Sequence, residues 1–159
     1  MHSRVKYLSS KVIKTVTGYE KPHLSLSDAV FNEIKFQKLF YEASCRFCLS
    51  SGESGIKIPM IIDFDLCSNT IIMERLPIEA YSLLEKKVAL PLLTKLAKFL
   101  DYCEEKGLYH NDLTEENIFF TDSEVWLIDF GMSDSKPVDG DDFIPGSEIV
   151  EYFKQKYGK

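Results

Sequence analysis

The chain has 159 residues, 45% hydrophobic and 13% aromatic, with a net charge of −6. That length and composition describe one packed domain and exclude a disordered or low-complexity chain. The acidic balance argues against a broad nucleic-acid footprint, which needs clustered Lys and Arg. Apolar runs such as 88–93 are too short to cross a bilayer, and the start Met-His-Ser-Arg-Val-Lys-Tyr has no signal-peptide hydrophobic run. A cytoplasmic or nuclear location, with no membrane partner, is therefore expected.

In chain order, Val5 and Tyr7, then Val12-Ile13 and Thr15-Val16-Thr17, predict two strands around a turn near 8–11, ending at Gly18. Ser25 followed by Asp28 predicts a capped helix start. Phe31, Ile34, Phe40, Ala43 and Phe47 recur at helical spacing as its apolar face, and Gly52 should stop it. Cys45 and Cys48 form a C-x-x-C on that helix. With no second C-x-x-C and no H-x-x-x-H, the pair reads as reduced, half-buried thiols rather than a zinc site.

Two more strands are expected over 58–64 and 70–76, with a turn at 67–69 between them and Pro77 as the stop. A short helix is expected over 78–86. A longer one over 91–106 is apolar at Leu92, Leu93, Leu96, Phe99, Leu100 and Cys103, and Gly107 closes it. A polar loop then leads into strands at 118–120 and 125–128 around a turn at 121–124, and Pro145-Gly146 introduces a last helix over 147–157. This order predicts an α+β chain in two lobes of a single domain, residues 1–76 and a reduced 77–159, joined near Leu76-Pro77.

The chemistry concentrates in His110-Asn-Asp112-Leu-Thr-Glu-Glu-Asn117 and Leu127-Ile-Asp129-Phe-Gly131. A triphosphate and its magnesium need hard oxygen ligands, which Asp and Asn supply. An acceptor hydroxyl needs a carboxylate to orient it and take its proton, and phosphoryl transfer asks mainly for positioning and charge neutralisation. Asp129 fits the main metal ligand, Asn117 the second, and Asp112 the base.

Through H-x-D-L-x-x-x-N and D-F-G in order, the chain resembles the protein-kinase-like superfamily from Lys11 to about Asp142. The resemblance implies a minimal two-lobe kinase-like fold that binds ATP and Mg²⁺. It implies that Lys14 in Val-Ile-Lys holds the α- and β-phosphates, with Lys11 as the alternative. Glu33 would be its ion-pair partner, though Glu42 lies on the same helix. Met73 would be the gatekeeper, or plain core filling, and the backbone of Glu74 and Leu76 would meet the adenine. Thr114 stands where ordinary protein kinases carry a lysine. D-L-T-x-x-N is similar to small atypical kinases, namely the kinase subunit of the KEOPS complex and RIO kinases, as are Gly18-Tyr-Glu-Lys-Pro22 and Leu127-Ile-Asp-Phe-Gly-Met-Ser133.

No glycine precedes Lys14, so the resemblance implies a missing phosphate-covering loop, and ATP binding that is weak or helped by a partner. Asp142 is a candidate brace of the catalytic loop, and Ser133 and Ser135 are candidate phosphosites. The implied function is ATP-dependent phosphotransfer to Ser or Thr, or ATP hydrolysis within a KEOPS-like tRNA-modification complex. The alternative is a pseudokinase that binds a partner. A small-molecule kinase ranks below both, because that group needs a larger substrate lobe.

Overall fold

The computed structural model describes residues 2–18, 24–82, 89–140 and 143–157. In chain order the elements are β1 (His2–Tyr7), β2 (Lys11–Gly18), α1 (Leu26–Ser51), β3 (Ile56–Lys57), β4 (Ile61–Asp65), β5 (Thr70–Glu74), β6 (Tyr81–Ser82), α2 (Leu90–Glu105), β7 (Ile118–Phe120), β8 (Val125–Leu127) and α3 (Ile149–Tyr157), with one 3₁₀ turn at Gly146–Glu148.

Alternation builds the first sheet. Along β2, Val12, Lys14 and Val16 are buried while their neighbours are not, which is the period of a strand with one covered face. β1 pairs with it antiparallel, Val5 opposite Lys14, and the sheet runs β1-β2-β5-β4. The second sheet runs β3-β8-β7-β6, with β3 parallel to β8 and the other pairs antiparallel.

Helix α1 connects the two regions. Ser25 caps it, its Oγ accepting from the Asp28 N–H at 3.1 Å, and Gly52 ends it in the left-handed conformation at φ 72°. At 1.5 Å per residue its 26 residues reach about 39 Å. Its first turns give Val30 and Ile34 to a small core with Val16 and Ile71 under the first sheet. Its later turns give Phe36, Phe40, Ala43 and Phe47 to the large core, shared with α2, α3 and the β7–β8 hairpin. The α+β, two-lobe kinase-like architecture expected from the sequence is the one observed.

Several local expectations need correction. No helix starts at Ile78: residues 78–79 turn, and Tyr81–Ser82 pair with Phe119 and Phe120, the Tyr81 ring lying 6.0 Å from that of Phe120. The rest of that expected helix, 83–88, lies outside the described residues, as do Asp142 and most of 18–22. Phe31 is 57% exposed, because the buried stripe passes through Val30 and Ile34 instead. Cys45 and Cys48 are exposed rather than half-buried. The strand expected from Ile58 begins at Ile61, since Pro59 has no N–H for a ladder. Strand β3 was not expected at all, because two residues leave no periodic signal. Among the described residues, no helix is long and apolar enough to cross a membrane.

The β3–β8 pairing depends on Gly55. Its φ is 89°, its carbonyl accepts the Val125 N–H at 2.8 Å, and a Cβ there would lie 2.5 Å from the Ser123 carbonyl oxygen. Gly55→Ala is therefore expected to destabilise the chain by about 2 kcal/mol or more, from left-handed strain plus a backbone clash. Urea denaturation measures this, and a loss under about 0.5 kcal/mol, the level of an ordinary surface change, would contradict the packing described.

Candidate active site

Lys14 leaves the middle of β2 toward α1. Its ammonium lies 2.5 Å from Glu33 Oε1 and 3.5 Å from Asp129 Oδ1. Lys11, an odd number of residues away, falls on the other face of the strand. Glu42 is exposed on α1, whereas Glu33 is fully buried. Burial acts to lower the Lys14 pKa, but the Glu33 and Asp129 carboxylates outweigh it and hold the ammonium above its ordinary value. Burial pushes the Glu33 carboxyl upward against the opposing pull of Lys14. Glu33 Oε2 has no hydrogen-bond partner among the described residues.

The loop before β7 is organised by His110. The Asp112 N–H donates to His110 Nδ1 at 3.2 Å, so Nε2 carries the proton and faces the Ile128 carbonyl at 2.9 Å. The ring is packed edge-on against Phe40 and Phe130, and burial lowers its pKa, which keeps it neutral. Asn117 Nδ2 donates to the Asp112 carbonyl at 2.9 Å and to Asp112 Oδ2 at 3.0 Å. With its nitrogen so engaged, Oδ1 is the amide atom suited to a hard cation. The Ile128 N–H donates to the Asn117 carbonyl at 3.0 Å, tying this loop to the residue before Asp129. Asp129 has φ 59°, and its Oδ1 also accepts the Gly131 N–H at 3.3 Å.

A cavity of about 320 Å³ lies between the two regions. Val5, Tyr7, Val12 and Met73 of the first sheet line one side and Phe119 and Ile128 the other. Lys14, Glu33 and Asp129 are charged groups in its lining, and Glu74, Leu76 and Gln37 line it as well. An apolar slot of that size with a few convergent charges has the form of a small-ligand site. The structure thus brings Lys14, Glu33, Met73, Glu74, Leu76 and Asp129 to one cavity. It joins Asp112 and Asn117 to each other rather than placing them in that lining. From the sequence Tyr7 and Val12 are strand residues only, and Gln37 and Phe119 carry no site role. Period-2 alternation was the available signal: it puts Val12 on the Lys14 side of β2, and it turns Phe119 away from the buried Ile118 and Phe120.

The residues present fit a magnesium-nucleotide. Among the described residues no group of three or more His, Cys, Asp or Glu forms a cage, so a cation at Asp129 and Asn117 would draw its other ligands from phosphate and water. The orphan Glu33 oxygen is an acceptor, so a water or a cation rather than a phosphate oxygen would satisfy it. Of the two candidate phosphosites, Ser133 is fully buried with its hydroxyl donating to the His110 carbonyl at 3.2 Å, whereas Ser135 is exposed.

Residues 4–140 match the RIO domain. The chain belongs to the RIO domain family. This RIO domain is 26% identical over 106 residues to the KEOPS complex subunit Bud32 of Pyrococcus abyssi, covering 64% of the chain and 48% of that protein. It is 25% identical over 132 residues to a probable serine/threonine-protein kinase BUD32 homolog of Archaeoglobus fulgidus, covering 82% and 62%. A probable bifunctional tRNA threonylcarbamoyladenosine biosynthesis protein of Methanoculleus marisnigri is 32% identical over 92 residues, covering 57% and 16%. The chain therefore spans about half to three-fifths of the length of the first two relatives. The crystal structure of monomeric WbdD superposes with a TM-score of 0.53 at 23% identity, covering 85% of this chain and 33% of that one, a likeness of fold. The RIO domain is thus an atypical member of the kinase-like group, as the motifs implied.

Proposed function

We propose that this RIO domain is an ATP- and magnesium-dependent phosphotransferase of the atypical Ser/Thr protein-kinase type, or the ATP-hydrolysing subunit of a KEOPS-like assembly. The observation that carries the proposal is the Lys14 ammonium held between Glu33 and Asp129 in the lining of the cavity. Lys14 would hold the α- and β-phosphates, oriented by Glu33. Met73 and the backbone of Glu74 and Leu76 would receive the adenine. Asn117 and Asp129 would hold magnesium, which when bound neutralises phosphate charge. Asp112, anchored by the Asn117 amide, would orient the acceptor hydroxyl and take its proton. In this reading 1–76 and 77–159 are the two lobes of one domain and close on the nucleotide. The likeness to a KEOPS subunit supports protein partners from such a complex. The net charge of −6 is the ground for proposing no nucleic-acid contact of its own, and a cytoplasmic or nuclear location is part of the same proposal.

Thermal unfolding with and without ATP and magnesium tests the reading. A ligand at about one hundred times its Kd adds about 2.7 kcal/mol, which is roughly 5–11 °C for a chain of this size. No shift at millimolar ATP and magnesium would defeat the proposal and favour the other reading, a pseudokinase module that binds a partner without turnover.

A further inference from the structure

Asn111, which immediately precedes Asp112, is a residue that ties the loop carrying Asp112 to the segment following Asp129-Phe-Gly. Its Nδ2 donates to the Met132 carbonyl at 3.3 Å and to the Lys136 carbonyl at 3.0 Å. Its Oδ1 accepts the Val138 N–H at 3.1 Å. One amide therefore satisfies three backbone groups spread over 132–138, and it does so from a left-handed backbone at φ 66°. That conformation is rare for residues with a side chain, but Asn adopts it readily.

Other contacts hold the same segment. The Tyr109 N–H donates to the Asp134 carbonyl at 3.0 Å, and the Asp134 N–H donates back to Tyr109 at 3.1 Å. Asn32 of α1 donates to the Ser133 carbonyl at 3.1 Å. The segment is thereby linked both to the loop that carries Asp112 and to the helix that carries Glu33. Where such a segment is ordered by phosphorylation, the added phosphate works by pairing with arginine. Here the site before Asp112 carries a neutral amide already saturated by backbone, the buried Ser133 is unavailable to a modifying enzyme, and a phosphate on the exposed Ser135 would meet the Asp134 carboxylate to which its hydroxyl now donates at 3.3 Å.

We propose that Asn111 is a positioning residue that clamps 132–138 against the catalytic loop, so that this side of the site is assembled without covalent modification. The inference rests on the phosphotransfer reading for its catalytic consequence, but the clamp is measurable without nucleotide.

Amide hydrogen exchange on the full chain tests it. Asn111→Gly keeps the left-handed backbone at no steric cost and deletes only the three side-chain bonds. The Asp134 amide is the informative probe, because its own acceptor, the Tyr109 carbonyl, is untouched by the substitution. It is expected to exchange roughly tenfold faster or more in Asn111→Gly, while amides in α2 keep their rates. Asn111→Asp retains the acceptor for Val138 but sets a carboxylate against two carbonyls, and should speed Asp134 as well. Wild-type chain treated with phosphatase, with its unmodified mass confirmed, should show Asp134 protected. An unchanged Asp134 rate in both variants would overturn the clamp. So would equal acceleration throughout α2, or an unprotected Asp134 in the unmodified wild type. A wild type that shows no thermal shift with ATP and magnesium, yet loosens at Asp134 in Asn111→Gly, would defeat the phosphotransfer reading and leave the clamp standing.

Discussion

Asp129→Asn is expected to lower magnesium-dependent ATP turnover by on the order of 10²–10³-fold, the usual effect of removing one preorganised electrostatic group from a reaction site. The amide keeps the shape of the carboxylate and one oxygen but removes its charge. That loss weakens the hold on a divalent cation, and it removes one of the two carboxylates that hold Lys14 in place. Asn suits the test better than Ala, because Asp129 sits at φ 59°, where Asn is tolerated and Ala is strained. The Asp129 side chain is 36% exposed, so little stability should be lost, and the melting temperature should stay within a few degrees of wild type. Turnover at the wild-type level in a folded Asp129→Asn chain would remove Asp129 from the proposed site.

Phe40→Ala should have the largest effect on stability, about 3–5 kcal/mol, the range for emptying a buried aromatic site. Phe40 is fully buried on α1, with ring centroids 6.5 Å from Phe99, 6.2 Å from His110 and 5.1 Å from Phe130. It therefore touches helix α2, the histidine that orders the loop before β7, and the residue after Asp129. The loss should appear in urea denaturation as a lower midpoint with an unchanged slope. Activity of the remaining folded protein should also drop, since His110 and Phe130 lose the wall that fixes their positions. A loss below about 1 kcal/mol would mean that Phe40 is not the link between core and site described here.

The parts of the fold that were legible in the sequence have local causes. Ser25 and Gly52 mark the ends of α1 because capping and left-handed closure are decided within a few residues. The α2 stripe from Leu92 to Cys103 is buried as its spacing indicated. The expectations that failed have non-local causes. Residues 81–82 become a strand because Phe119 and Phe120 offer a ladder to pair with. Ile56–Lys57 become one because β8 offers a parallel edge. Phe31 faces outward because the first sheet selects a stripe one residue away.

The same division runs through the candidate site. The sequence by itself determined the residue types and their order: a histidine, an aspartate and an asparagine at set spacing, then Asp-Phe-Gly after an apolar strand. Those are covalent facts about a loop and a hairpin, and they sufficed to place the chain among kinase-like folds. Only the tertiary structure decided which lysine meets which glutamate. Lys14 and Glu33 are 19 residues apart, and their contact exists because α1 packs on the buried face of β2, which excludes the outward Lys11 and the exposed Glu42. Only the tertiary structure, likewise, brought Asn111 against residues more than twenty positions away. Burial and charge pairing depend on the environment that the whole fold creates, and no stretch of sequence carries that environment alone.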